Sequence, residues 1–214
     1  MSAILLVRHG QASWGTDDYD RLSPRGHSQA TWLGQSWEAA GFVPSHAVAG
    51  GMRRHAETAT GALDVADPDS TGWDVDARWD EFDHRVFARG DDAVLNGDPR
   101  AFQAVLDEGL AAWELADGDD YPEPYAAFRD RVRGAFDDLA GSLGRGERAV
   151  VFTSGGPVAQ VASWLLTGDD TIWRRMNRVV ANASVTTVTI GRSGRTLLTF
   201  NEHTHLPADA VTFR

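Results

Sequence analysis

The chain contains no cysteine, which excludes thiol nucleophiles, disulfides and cysteine-ligated metals. It contains no lysine either, so all 20 of its basic residues are arginine. That removes the lysine of a P-loop, Schiff-base chemistry and Ser-Lys hydrolysis. Any anion site must be built from arginine, histidine or backbone N–H groups, and the planar arginine fork suits phosphate well. No apolar run approaches the roughly 20 residues that span a bilayer. Basic charge is also scarce. The net charge of −11 argues against a nucleic-acid partner, which demands a basic face. It does not argue against a small phosphorylated substrate, because a pocket can be locally basic on an acidic protein. No basic segment precedes an apolar stretch at the N-terminus, so no secretory signal or membrane association is expected, and the expected location is cytoplasmic.

What is present suits a globular fold. The 214 residues, 42% of them hydrophobic, fit one domain, residues 1–214, without repeats or low-complexity segments. Apolar Ala3 to Val7 predicts a buried strand. Ser23 and Pro24 open a predicted helix that reaches about Ala40 and stops at Gly41. Strands are expected at His46–Ala49, Trp73–Val75, Arg148–Thr153, 185–190 and 196–200, the last two joined by the Gly191-Arg192-Ser193-Gly194 turn. Helices are expected near 53–63, 100–115, 125–143 and 157–166, the one at 125–143 with Phe128, Val132, Phe136 and Leu139 on one face. Alternating strands and helices indicate an α/β layer fold with a mostly parallel sheet, and the closing strand pair indicates an antiparallel edge. Residues 85–124, with the acidic turn from Asp117 to Pro124, read as an insertion within the domain.

Four stretches carry chemistry. Arg8-His9-Gly10 directly follows the first strand, where open α/β sheets bind ligands, and Gly10 allows a sharp turn. Met52-Arg53-Arg54-His55-Ala56-Glu57-Thr58-Ala59 places arginines at a helix start after the second strand, but by itself it reads more readily as a solvated helix surface. Thr153-Ser154-Gly155-Gly156-Pro157 joins a buried strand to a helix whose first residue is expected to be Pro157. Free N–H groups there favour an anion, and Ser154 either caps the helix or donates to a phosphate oxygen. Trp79-Asp80-Glu81-Phe82-Asp83-His84 supplies carboxylates for a general acid, or forms a surface loop. Its spacing matches no standard ligand pattern, so no metal at Glu81, Asp83 and His84 and no cofactor is expected.

Taken together, Leu6 to Gln11, the helix start Leu22-Ser23-Pro24-Arg25-Gly26-His27-Ser28-Gln29-Ala30, Arg54 ahead of Thr58-Ala59, Tyr121 to Val132, Asn182 to Thr186 and Asn201 to Leu206 resemble the phosphoglycerate-mutase-like histidine phosphatase superfamily. The resemblance spans nearly the whole chain. It implies a three-layer α/β/α sandwich, with His9 as nucleophile and Glu81 as acid. It further implies Arg8, Arg54, Ser154 and Gly155 around a phosphate, and a substrate-selecting lid at about 85–124. Two positions depart from the family pattern. Ser154 stands where the family usually has a second histidine, and Gly15 follows Trp14 where asparagine is common. His203 or His205 is a candidate to fill the first vacancy.

The function implied is hydrolysis of a phosphomonoester through a phosphohistidine on His9, slowed by the missing donor at 154. The substrate is a small phosphorylated molecule or a phosphoprotein. Arg85, Arg89 and Arg100 are candidates for further anionic groups, or plain surface charges. Two alternatives share the fold: a phospholigand binder without turnover, and a mutase of the phosphoglycerate type. A serine hydrolase built on Ser154 is disfavoured, because a nucleophile elbow needs glycine where Phe152 stands.

Overall fold

Strand β1 (Ser2–Arg8) lies inside the sheet and sends alternate side chains to its two faces. Ile4 and Leu6 enter one apolar cluster, while Leu5 and Val7 enter the other. A computed structural model describes residues 1–13, 20–69, 72–87, 99–116 and 120–213, with backbone alone for 99–102. Trp14, Gly15, Arg89, the side chain of Arg100 and Asp117 to Asp119 lie outside the described residues.

The elements that follow are α1 (Pro24–Ala39), β2 (His46–Ala49), α2 (Arg53–Ala66) and β3 (Asp74–Val75). Then come α3 (Pro99–Leu115), α4 (Tyr125–Ser142), β4 (Arg148–Thr153), α5 (Gly155–Thr167), α6 (Trp173–Asn177), β5 (Val185–Gly191) and β6 (Gly194–Glu202). The sheet runs β3-β2-β4-β1-β5-β6. β1 pairs in parallel with β4, as β2 does with β3 and β4, whereas β5 and β6 form the antiparallel edge. The result is a mixed α/β fold with helices on both faces of a mostly parallel sheet. Among the described residues, no helix is long and apolar enough to cross a membrane.

The two faces are covered by different helices. Leu33 and Trp37 of α1 and Ala59, Ala62 and Leu63 of α2 pack on Val7, Val150 and Phe152. Phe128, Val132 and Phe136 of α4 and Val158 and Val161 of α5 pack on Ile4, Leu6 and Val151. Trp79, Phe82, Trp113 and Trp173 extend this second core toward the ends of the strands. Ring centroids of Phe82 lie 5.2 Å from Trp113 and 5.6 Å from Phe128, within the range of favourable aromatic pairs.

Ser23 is the N-cap of α1, its hydroxyl accepting from the Gly26 N–H at 3.1 Å, and Pro24 opens the helix. The start of α5 differs from expectation. The helix begins at Gly155, two residues ahead of Pro157. Proline is tolerated at this third position because the first-turn N–H groups have no intrahelical acceptor.

Candidate active site

His9 emerges from the end of β1 and is 4% exposed. Its backbone N–H donates to Thr153 O on β4 (2.8 Å), and Ala183 N–H returns to Arg8 O and His9 O at 3.0 and 3.2 Å. Asn182 Nδ2 also donates to His9 O at 3.2 Å. Ala183 accepts a left-handed φ of 56° to make this clasp, so the 182–184 turn fixes the motif from the antiparallel side. Gly10 N–H donates to Thr58 Oγ1 of α2 at 3.0 Å. A Cβ on Gly10 would stand 2.5 Å from Gly26 O, so this close crossing of β1's exit with α1 requires glycine.

The tautomer of His9 follows from one contact. Nδ1 lies 2.6 Å from Gly10 O, and a carbonyl can only accept, so Nδ1 carries the proton and Nε2 keeps its lone pair. Burial, then the positive charges of Arg54 and Arg8 and the nearby His55, hold the imidazole pKa well below its ordinary value. The ring is neutral at physiological pH, the form in which an imidazole has a lone pair to offer.

Arg8, His9, Arg54, Glu81 and Gly155 line one cavity of about 120 Å³. Arg8, the last residue of β1, donates through Nη1 to Phe213 O (3.0 Å) and Val180 O. Arg54, 6% exposed in the first turn of α2, donates from Nη1 to Asp20 Oδ1 at 2.7 Å. Asp20 also accepts from the Arg53 N–H at 2.9 Å, so one carboxylate sets both the helix start and the guanidinium. Glu81 is partly buried opposite, and its Oε2 accepts from the Gly156 N–H at 3.1 Å. Burial raises the Glu81 pKa, against the opposing pull of that N–H and of Arg54 and Arg8.

Ser154 is placed differently from the other expected phosphate contacts. It is fully buried, is not among the residues lining the cavity, and its Oγ lies 2.8 Å from Nε2 of His55, itself fully buried on α2. The imidazole beside Ser154 therefore comes from α2 and not from the C-terminal segment. His203 Nδ1 instead bonds Asn201 O at 2.6 Å, and neither His203 nor His205 lines the cavity. A buried Ser154 is equally unsuited to act as an exposed elbow nucleophile.

Reading Arg53 to Ala59 as a solvated surface misplaced His55. The buried residues of α2 are Arg54, His55, Thr58, Ala59, Ala62 and Leu63, a stripe at helical spacing that the sequence already displays. The cavity is also lined by His84, Gln103, Leu106, Asn177, Arg178 and Phe213. Burial, assisted by Arg54, holds the His84 imidazole down at about 4. Asp83 pairs with Arg85 through Oδ1 at 2.8 Å, so Arg85 is engaged in its own turn. Among the described residues, no cluster of three or more histidines and carboxylates suits a metal ion.

Residues 4–203 match the histidine phosphatase superfamily (branch 1). The chain belongs to this superfamily. No curated protein sequence matches it. Among solved structures, it is similar to a phosphoserine phosphatase from Entamoeba histolytica (H9A mutant, with phosphoserine). That match has 19% identity and a TM-score of 0.69, covering 97% of this chain and 100% of that one. Phosphoglycerate mutase from Bacillus anthracis matches at 17% identity with a TM-score of 0.70, covering 95% and 94% of the two chains. A mycobacterial glucosyl-3-phosphoglycerate phosphatase complexed with VO3 matches at 23% identity with a TM-score of 0.67, covering 94% and 98%. At these identities the likeness establishes the superfamily's fold for this chain.

Proposed function

We propose that this histidine phosphatase superfamily member hydrolyses phosphomonoesters through a phosphohistidine on His9. The observation that carries the reading is the fixed tautomer of a buried, neutral His9, on a cavity shared with Arg8, Arg54 and Glu81. The Nε2 lone pair attacks phosphorus, and the bond from phosphorus to the ester oxygen breaks. Its electron pair goes to that oxygen, which takes the proton held by Glu81. Arg8 and Arg54 bind the equatorial oxygens and balance their charge. Glu81, now a carboxylate, removes a proton from water as the water attacks phosphorus. The phosphorus–nitrogen bond breaks, its electrons return to Nε2, and phosphate departs. The Gly155 N–H, at the start of α5, is a further donor to the phosphoryl group.

A cavity of about 120 Å³ favours a small phosphorylated molecule over a folded phosphoprotein. Phosphoserine, bound by the Entamoeba enzyme, is a small phosphorylated molecule of this kind. Residues 85–124, which include cavity-lining Gln103, Leu106 and Leu110, are the substrate-selecting side in this reading. A binder without turnover is the second reading. It is favoured by the position of the Ser154 hydroxyl, which is turned to His55 and adds no donor to the cavity.

Brief reaction with p-nitrophenyl phosphate, an alkaline quench and mass spectrometry separate the two readings. Acid-labile phosphate on His9 is the expected result. Phosphate binding with neither turnover nor a trapped adduct would establish the binder.

A further inference from the structure

Four observations converge behind the nucleophile. His55 Nε2 lies 2.8 Å from Ser154 Oγ, with both residues at zero exposure. On the other side of the ring, Nδ1 faces Asp80 Oδ1 at 3.7 Å. The His55 ring lies 5.8 Å from that of His9, the planes inclined by 38°. A Cβ on Gly50 would stand 2.4 Å from His55 Nδ1 and 2.7 Å from Asp80 Oδ1, so glycine is what lets the ring and the carboxylate settle there.

Ser154 is the N-cap of α5, yet its side chain makes no capping bond. The reason lies in the next three residues. The N–H of Gly156 is already taken by Glu81 Oε2, and Pro157 has no N–H to cap. The hydroxyl is therefore released to reach α2. The Gly50 backbone lies against the Nδ1 side of the ring, and Asp80 Oδ1 at 3.7 Å is beyond hydrogen-bond reach but adds a negative potential there; both favour the proton of His55 on Nδ1, and Nε2 then accepts from the Ser154 hydroxyl.

We propose that Asp80, His55 and Ser154 form one positioning unit for the phosphate site. In it, an imidazole supplied from α2 holds the Ser154 hydroxyl and, through it, the start of α5. The proposal rests on the phosphatase reading above. The unit ties the first residues of α5 to α2. It thereby sets the Gly155 N–H on the cavity wall and the Gly156 N–H that holds Glu81, relative to His9. Because His55 and Ser154 act through a single bond, losing either partner has the same consequence, and losing both adds nothing.

The test is a double-mutant cycle of Ser154→Ala, His55→Leu and the pair, with His55→Gln as the conservative variant. The readouts are kcat and KM on p-nitrophenyl phosphate, affinity for orthovanadate, and thermal midpoint. Each single variant is expected to lower kcat by about 10- to 100-fold, with KM within about threefold, and the double variant to match the worse single. His55→Gln retains an amide oxygen to accept from Ser154 and is expected to recover most of the loss. Multiplying losses in the double variant would overturn the proposal, as would a lowered thermal midpoint with unchanged kcat. If His55→Leu does not fold, Ser154→Ala and His55→Gln still decide. An unchanged kcat in Ser154→Ala, or a His55→Gln no better than Ser154→Ala, then overturns it. If the wild-type protein neither turns over nor traps phosphate, the phosphatase reading has failed independently. In that case equal, non-additive losses of vanadate affinity support the unit, and unchanged affinity overturns it.

Discussion

Replacing Glu81 by glutamine tests the acid–base assignment with little change in shape. The glutamine oxygen can still accept from the Gly156 N–H, so the start of α5 keeps its partner. What disappears is the transferable proton, and general acid–base catalysis is worth about 10² to 10⁴ in rate. The two half-reactions respond differently. An alkyl phosphomonoester has a strongly basic leaving oxygen, so the first step needs the proton and kcat/KM falls by about 10² to 10⁴. With p-nitrophenyl phosphate the leaving phenolate is stable without protonation, so His9 is still phosphorylated and only water attack is slowed. Stopped-flow absorbance is expected to show a burst of one nitrophenolate per site followed by a slow steady state. A uniform loss on both substrates with no burst would refute the assignment. The same variant carries a stability signature. Burial raises the folded-state pKa of Glu81, so the stability it contributes is fully present below the unfolded carboxyl pKa and is lost as pH rises through the folded value. The variant is therefore expected to melt above the wild type at pH 8, with the gain vanishing at acidic pH.

Arg54→Lys keeps the charge but loses the two-pronged fork. It is expected to lower kcat by about 10² to 10³ and to weaken orthovanadate binding, as measured by steady-state kinetics and titration calorimetry. Gly10→Ala places a Cβ 2.5 Å from Gly26 O, a backbone atom that cannot step aside, and is expected to cost about 1–3 kcal/mol in urea unfolding. The buried histidines make an acid-destabilising contribution to the fold. Folding depresses the pKa values of His9 and His55, and that of His84 to about 4, so the unfolded chain takes up protons first as pH falls below the ordinary imidazole value. The buried Asp80 and Glu81, with raised pKa values, act in the opposite sense, so the histidine contribution is read from the difference: urea midpoints are expected to fall less steeply in His55→Gln than in the wild type between about pH 6.5 and 4.

Patterns confined to one element were legible in the sequence. The apolar runs of β1 and β4, the Ser23-Pro24 helix start and the closing hairpin depend on local propensity and burial, and the structure returns them within a few residues at their ends. The arginines and His9 were legible because each sits at the carboxyl end of a strand or the start of the helix that follows. Less legible was anything set by two distant segments meeting. Phe213, Asn177 and Arg178 reach the cavity from elements with no motif of their own, and Asp20 meets Arg54 only through the tertiary fold. His55 lies between these cases. Its neighbours Arg53, Arg54 and Glu57 suggested a wet helix face, but its spacing to Thr58, Ala59 and Ala62 put it on the buried stripe.

The acidic stretch after Trp79 shows why reading residue types as a cluster fails here. Asp80 has extended backbone angles, φ −69° and ψ 152°, so successive side chains leave the chain in different directions. Asp80 accepts from the Gly51 N–H at 2.6 Å and faces His55, whereas Glu81 accepts from the Gly156 N–H and lines the cavity. Asp83 turns back to its own neighbour Arg85. Three carboxylates within four positions thus meet three separate partners, and their pKa values part accordingly. Burial raises those of Asp80 and Glu81, and Arg85 lowers that of Asp83. A group that is to hold a proton for a leaving oxygen must be desolvated and must also reach the cavity. Asp80 and Glu81 share the first property, but of the three only Glu81 has the second. Geometry rather than acidity therefore makes Glu81 the proposed acid, and leaves Asp80 beside the histidine behind the site.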